Sequence, residues 1–248
     1  MRTRMMILSI VAGVALVALG CLVGLLVTLG PWLGLGVAAA VAAVVLALYL
    51  LAVRPWHLRW DASDQEVARA MPGDGLVDGA GSTTRAITVT ARAEQVWPWL
   101  VQIGYGRAGW YSYDWIDNDG RPSADRILPD FQYLRVGDRI LMAPGMGATV
   151  RAVAPNRYVL SQSDGGESWC LALYPLDERH TRLVSRWRAR WPLTPAMLFW
   201  TIVVDPGFFI MERKMLNGIK TRAERATAPP WRAQPPGNRE RMPTIPVS

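Results

Sequence analysis

Residues 5–53 contain no Asp, Glu, Lys, Arg or His over 49 consecutive positions, and that run limits what the chain can become more than any other feature. A bilayer core about 30 Å thick is crossed by roughly 20 apolar residues rising 1.5 Å each, so the run is long enough for two crossings and a tight turn. Gly30-Pro31-Trp32 near its middle supplies the turn. Pro31 cannot extend the helix before it, and Trp32 suits the headgroup level. The expectation is a transmembrane helical hairpin over residues 1–53. Arg2 and Arg4 precede the first span, Arg54 and Arg59 follow the second, and the turn is uncharged. By the positive-inside rule both termini and the soluble part then lie on the cytoplasmic side of an inner (plasma) membrane. A secretory signal is the competing reading, but its apolar run spans only about 7–15 residues. Ala18-Leu19-Gly20-Cys21 has the outline of a lipoprotein site, yet more span follows Cys21 instead of a polar tether.

The rest of the 248-residue chain is long enough for one ordinary core plus tails. The whole chain carries 27 basic residues against 20 acidic, and without Arg2 and Arg4 the part after the hairpin has 25 against 20, a net charge of +5; a basic surface beside a bilayer is most simply read as attraction to anionic headgroups. Nucleic acid is not expected as a partner, because no basic run interleaves with a binding motif. Cys21 falls in the hairpin and Cys170 in the soluble part, so no disulfide is expected. His57 and His180 have no Cys, Asp or Glu at ligand spacing, so neither a metal nor a cofactor is expected.

Residues 54–60 read as an interfacial collar anchored by Trp56 and Trp60. Ser63-Asp64-Gln65-Glu66 is a capping box for a short helix that 71–74 must stop, and a Gly/Asp/Ser-rich linker runs to residue 83. Alternation predicts a strand over 84–89. A helix from Glu94 follows, with Pro98 tolerated in its first turn. Further strands are predicted over 139–142, 148–153, 157–162, 169–174 and 181–191. In the last, Leu183, Trp187, Ala189 and Trp191 alternate with Arg182, Arg186, Arg188 and Arg190. The arginine face reads as solvated or as facing headgroups. Val204, Phe208, Met211, Met215 and Ile219 make an apolar stripe in a C-terminal helix, whose main part is placed after Pro206. The organisation expected is a hairpin (1–53), a collar, short helix and linker (54–83), an α+β domain (84–226) and a disordered Pro/Arg-rich tail (227–248).

Within 84–224 the residues are similar to a known family. Val96-Trp97-Pro98-Trp99-Leu100-Val101-Gln102-Ile103-Gly104, Gly109-Trp110-Tyr111-Ser112-Tyr113-Asp114-Trp115, Ser123-Ala124-Asp125-Arg126-Ile127, Val136-Gly137-Asp138 and Met211-Glu212-Arg213-Lys214-Met215-Leu216 resemble a bacterial branch of the START-like (SRPBCC) superfamily, which includes proteins labelled polyketide cyclase/dehydrase. The resemblance implies a helix-grip fold, an antiparallel sheet wrapped on a long C-terminal helix with a cavity for apolar or amphipathic ligands between them. It implies no single activity, since the superfamily holds lipid carriers, receptors and cyclases. The hairpin and Pro206 depart from the familiar pattern.

Gly104-Tyr105-Gly106-Arg107-Ala108-Gly109 spells the dinucleotide fingerprint, but a helix precedes it where a strand is required, so its glycines read as turns beneath bulky rings. The residues expected to meet a ligand are Trp97, Arg107, Trp110, Tyr111, Tyr113, Trp187, Phe208, Met211 and Met215. Arg107, Tyr111, Tyr113, Asp114 and Asp117 are a possible polar pole; the plainer reading makes Asp114 a cap and the aromatics core. Asp125-Arg126 reads as an ion pair tying a loop. The leading expectation is a membrane-tethered module that binds a lipid or other hydrophobic small molecule. The alternatives are a cyclase or hydratase using Tyr113, Asp114 or Glu212 as acid or base, and a scaffold acting through its arginine-rich tail.

Overall fold

A computed structural model describes residues 2–192 and 194–227; the tail expected over 227–248 lies, past Thr227, outside them. Two helices come first, α1 (Arg2–Leu29) and α2 (Pro31–Leu48). Gly30, at φ 78°, breaks the first, and Pro31 opens the second at a position where its missing N–H is no loss. The helices approach closely at Gly34, where a side-chain carbon would stand 2.7 Å from the Leu25 carbonyl oxygen. Apolar side chains on both helices, among them Val17, Val23, Val27, Leu33, Val41 and Val44, are exposed.

α2 continues through a π-helical turn (Tyr49–Val53) into α3 (Arg54–Leu58). The predicted capping box opens α4 (Asp64–Ala68), with Ser63 and Glu66 bonding each other's backbone N–H. Six strands follow: β1 (Gly81–Val89), β2 (Arg139–Ala143), β3 (Met146–Ala154), β4 (Tyr158–Ser163), β5 (Ser168–Pro175) and β6 (Thr181–Ala189). They form one antiparallel sheet in the order β1-β6-β5-β4-β3-β2. Between β1 and β2 lie α5 (Ala93–Val101) and α6 (Asp114–Asp117). After β6 come α7 (Pro195–Phe199), a second π-helical turn (Trp200–Val204) and the long α8 (Asp205–Thr227).

The inner sheet face, with Ile87, Val89, Val150, Leu171 and Leu183, packs on Val96 and Leu100 of α5 and Met215, Leu216, Ile219 and Ala223 of α8 in one continuous core. The chain has the α+β helix-grip architecture expected from its sequence. Two helix details differ. Pro98 sits well inside α5, beyond the first turn. It forgoes the bond to the carbonyl of Glu94, a residue exposed enough for water to replace it. Pro206 does not stop the C-terminal helix, because the preceding π turn offsets the carbonyl that its ring would strike.

The arginines of β6 are held by protein partners, and of the predicted row Arg190, just past the strand, is the one that is exposed. Arg182 donates to Glu66 at 2.6 Å and to Asp61 at 3.0 Å. Arg186 is buried and reaches Asp74, Thr84 and the carbonyls of Glu66, Val67 and Arg69. Arg188 and Arg190 donate to the carbonyls of Ala80 and Asp78. The row therefore clamps residues 61–80 over the outer sheet face, where Met71 meets a second apolar cluster containing Ala86, Cys170, Ala172 and Val184. The collar is tied in too, since the Ala86 N–H donates to the Trp60 carbonyl at 3.1 Å.

Candidate ligand cavity

Strand register builds the cavity wall. Trp169 of β5 and Trp187 of β6 are direct cross-strand partners, and their rings stack with centroids 4.9 Å apart and planes 12° from parallel. Trp110, from the loop after α5, leans on Trp169 at 5.7 Å, and Phe208 of α8 meets Trp187 edge-on at 5.2 Å. Met142, Met211 and Met215 complete the apolar lining, and Ser112, Asp117 and Glu212 are its polar members. The space is about 150 Å³ and open on one side, room for one six-membered ring or the end of a hydrocarbon chain.

The polar members divide into tied and untied groups. Ser112 donates to the Met211 carbonyl at 2.9 Å. Glu212 is buried, accepts from both Arg85 and Ser185, and Ser185 in turn accepts the Trp169 indole N–H at 2.9 Å. Arg85, fully buried, also donates to the His57 carbonyl at 2.8 Å and lies 3.9 Å from Asp205, which is 3.6 Å from Arg54. This network joins the collar, β1, β6 and α8. Burial, with the Arg85 and Arg54 charges next, pushes His57 down to about 4 and keeps it neutral.

Three buried groups in the cavity residues have no hydrogen-bond partner: the indole N–H groups of Trp110 and Trp187 and both oxygens of Asp117. Burial is the largest influence on Asp117 and the Asp114 charge the next, raising its pKa from 3.8 to about 6. The Ser112 hydroxyl acts in the opposite direction. That hydroxyl's proton is directed at Met211, so it does not serve Asp117 as a full donor.

Of the residues expected to meet a ligand, Trp110, Trp187, Phe208, Met211 and Met215 line the cavity. Trp97 packs at the edge of the core instead. Arg107 is anchored to the Val101 carbonyl at 2.8 Å and lies over the Phe131 ring at 4.6 Å. Tyr111, at φ 55°, is a structural pin. Its hydroxyl meets Gln102 at 2.8 Å and the Trp99 carbonyl at 3.3 Å, its ring lies under Arg222, and its backbone fits against Gly218 only because that glycine has no side chain.

Tyr113 faces Trp115 and Lys214, and Asp114 accepts from the Ser123 N–H at 3.0 Å beside an open polar groove. Neither of these two acid–base candidates reaches the cavity, and the third, Glu212, does so only as part of its ion pair. Asp125 and Arg126 do not pair with each other; Gln102 ties their loop, donating to the Arg126 carbonyl and accepting from the Leu128 N–H. The fingerprint glycines close a tight loop, with Gly104 and Gly109 exchanging both backbone bonds.

The expected lining omitted Trp169, Met142 and Ser112. Trp169 was accessible from the strand pattern once its register with Trp187 is known. Met142 carries no sequence signal that separates it from other strand residues.

No protein-family model and no curated protein matches the chain. Among solved structures, similarity extends to the ZhuI aromatase/cyclase from Streptomyces sp. R1128 at 20% identity, with 60% of this chain and 96% of that one covered and a TM-score of 0.36. The polyketide cyclase-like protein Cgl2372 from Corynebacterium glutamicum is similar at 17% identity, over 60% of this chain and 90% of that one, with a TM-score of 0.30. MLL2253 from Mesorhizobium loti is similar at 15%, over 60% of this chain and all of that one, with a TM-score of 0.39. By its own strand order and helix placement, the described part after the two apolar helices is a helix-grip arrangement, a six-stranded antiparallel sheet packed on a long C-terminal helix.

Proposed function

We propose that the protein is a membrane-tethered binding module. The α1–α2 hairpin holds it at the cytoplasmic face of the inner membrane, and its cavity takes a small hydrophobic molecule or the end of a lipid chain. The observation that carries this reading is an aromatic-walled space whose residues include two unused donors and one unused carboxylate. Leaving a buried polar group unpaired costs about 1–3 kcal/mol, so a ligand that satisfies Trp110, Trp187 and Asp117 recovers free energy that the empty fold lacks. The ligand is then an apolar ring or chain end carrying both a hydrogen-bond donor and an acceptor. The exposed apolar surface of the hairpin supports the tether, since a soluble monomer rarely leaves so large a patch uncovered.

The test uses the full chain in nanodiscs and ¹⁹F NMR of 4-fluorophenol and 4-fluorotoluene, with empty nanodiscs subtracted. Saturable binding is expected for both, tighter for the phenol, and lost in Met211→Trp, which fills the cavity. Partitioning into lipid alone, unchanged by Met211→Trp, contradicts the reading.

One observation favours an enzymatic second reading: a carboxyl with a pKa near 6 in an apolar cavity suits a general acid or base. Asp117, in place of Tyr113, Asp114 or Glu212, is then the group that a cyclase or hydratase would use. Turnover that follows the Asp117 ionisation and vanishes in Asp117→Asn, while 4-fluorotoluene still binds, would establish it.

A further inference from the structure

Residues 191–204 form a second stretch without Asp, Glu, Lys, Arg or His, 14 positions long. An apolar run of that length is either a buried core helix or a re-entrant or interfacial segment. Burial decides between them. Leu198, Phe199, Trp200, Ile202 and Val203 are 54, 60, 47, 39 and 54% exposed, so α7 and the π turn after it are not core.

Their neighbour is the end of the hairpin. The Tyr49 hydroxyl donates to the Thr201 carbonyl at 2.6 Å, Arg54 lies 3.6 Å from Asp205, and Trp56 meets Phe209 edge-on at 5.4 Å. Each contact pairs a residue with one about 152 positions later, so the two segments run parallel, side by side. They also share a design: a π-helical turn, then a charged residue, then proline, as Tyr49–Val53 before Arg54-Pro55 and Trp200–Val204 before Asp205-Pro206. The charged residues preceding the two prolines pair with each other, which fixes the register between the segments. α2 runs toward the collar, so α7, parallel to it, begins on the hairpin side and runs back into the domain.

We infer that residues 195–204 are a third membrane element, a half-depth helix beside α2 whose partner is the acyl region of the cytoplasmic leaflet. Ten residues at 1.5 Å each extend about 15 Å, half of a typical hydrocarbon core. Phe208 and Met211 of the cavity wall follow within two turns, so the element seats one end of the ligand cavity against the bilayer. This rests on the reading of α1–α2 as a bilayer anchor.

The test labels single cysteines with an environment-sensitive nitrobenzoxadiazole dye in the full chain, reconstituted in phosphatidylcholine/phosphatidylglycerol nanodiscs with and without doxyl-labelled phosphatidylcholine. Cys21→Ala removes the one exposed thiol, and Cys170 is buried with its thiol pushed up to about 12. Probes at Phe199→Cys and Ile202→Cys should lose fluorescence to doxyl lipid as deeply as one at Leu35→Cys in α2, while Met146→Cys at the start of β3 should not. Quenching at Leu35→Cys alone overturns the inference and leaves the anchor standing. A dry but unquenched probe at 199 and 202 means that protein covers the face, and also overturns it. No quenching at Leu35→Cys overturns the anchor and the inference together.

Discussion

Replacing Arg85 with Met should cost about 3–5 kcal/mol of stability, read as loss of the near-ultraviolet dichroism of the tryptophan stack in urea. Arg85 and Glu212 are both nearly inaccessible, and removing one partner leaves the other's charge in the interior. The loss also frees the His57 carbonyl and unbalances Asp205, so the collar and α8 should loosen from β1 together. The double variant Arg85→Met/Glu212→Leu should recover much of that loss, because an apolar pair of similar volume needs no charge compensation. A cost under about 1 kcal/mol for the single variant, the value of an exposed ion pair, would contradict this account of the network.

Asp117→Asn should have the opposite effect and stabilise the protein near neutral pH by about 2–3 kcal/mol. The folded carboxyl titrates near 6 against an ordinary 3.8. A raised folded value contributes stability that is complete below pH 3.8 and is lost as pH rises through 6. Wild type and variant should therefore unfold alike near pH 3.5 and diverge to a plateau above pH 7, with the variant higher. His57 has the reverse dependence: its depressed value favours the fold above pH 6.5, and that contribution is lost as pH falls through 4. It is common to both proteins and cancels in their difference. The same substitution should reduce the preference for 4-fluorophenol over 4-fluorotoluene, because a neutral amide replaces a charged acceptor. Equal stability of both proteins across the range would mean that Asp117 is not a buried, unpartnered carboxyl.

The parts of this structure that were legible in the sequence are those set by local pattern. The charge-free run predicted two helices and a turn at Gly30-Pro31, the Ser63–Glu66 spacing predicted a capping box, and the alternation in β6 placed Leu183 and Trp187 inward. What was not legible depends on tertiary partners. The β6 arginines have the composition of a solvated face, and only the path of residues 61–80 across them turns them into a clamp. Pro206 reads as a helix breaker until a π turn absorbs it. Tyr111, Tyr113 and Asp114 sit in the same motif as Trp110, yet Trp110 and Ser112 line the cavity while those three side chains are held by partners outside it. Asp117 stood beside Arg107, Tyr111, Tyr113 and Asp114 in the expected polar pole, and its lack of a partner becomes visible only when the surroundings are placed.

Native mass spectrometry of the full chain released from nanodiscs made with its own host membrane tests the central claim, a bilayer-supplied ligand in the tryptophan-walled cavity. Wild type should carry a non-covalent adduct that Met211→Trp lacks while both remain folded. A wild-type chain released bare, or with the same adducts as Met211→Trp, would contradict it.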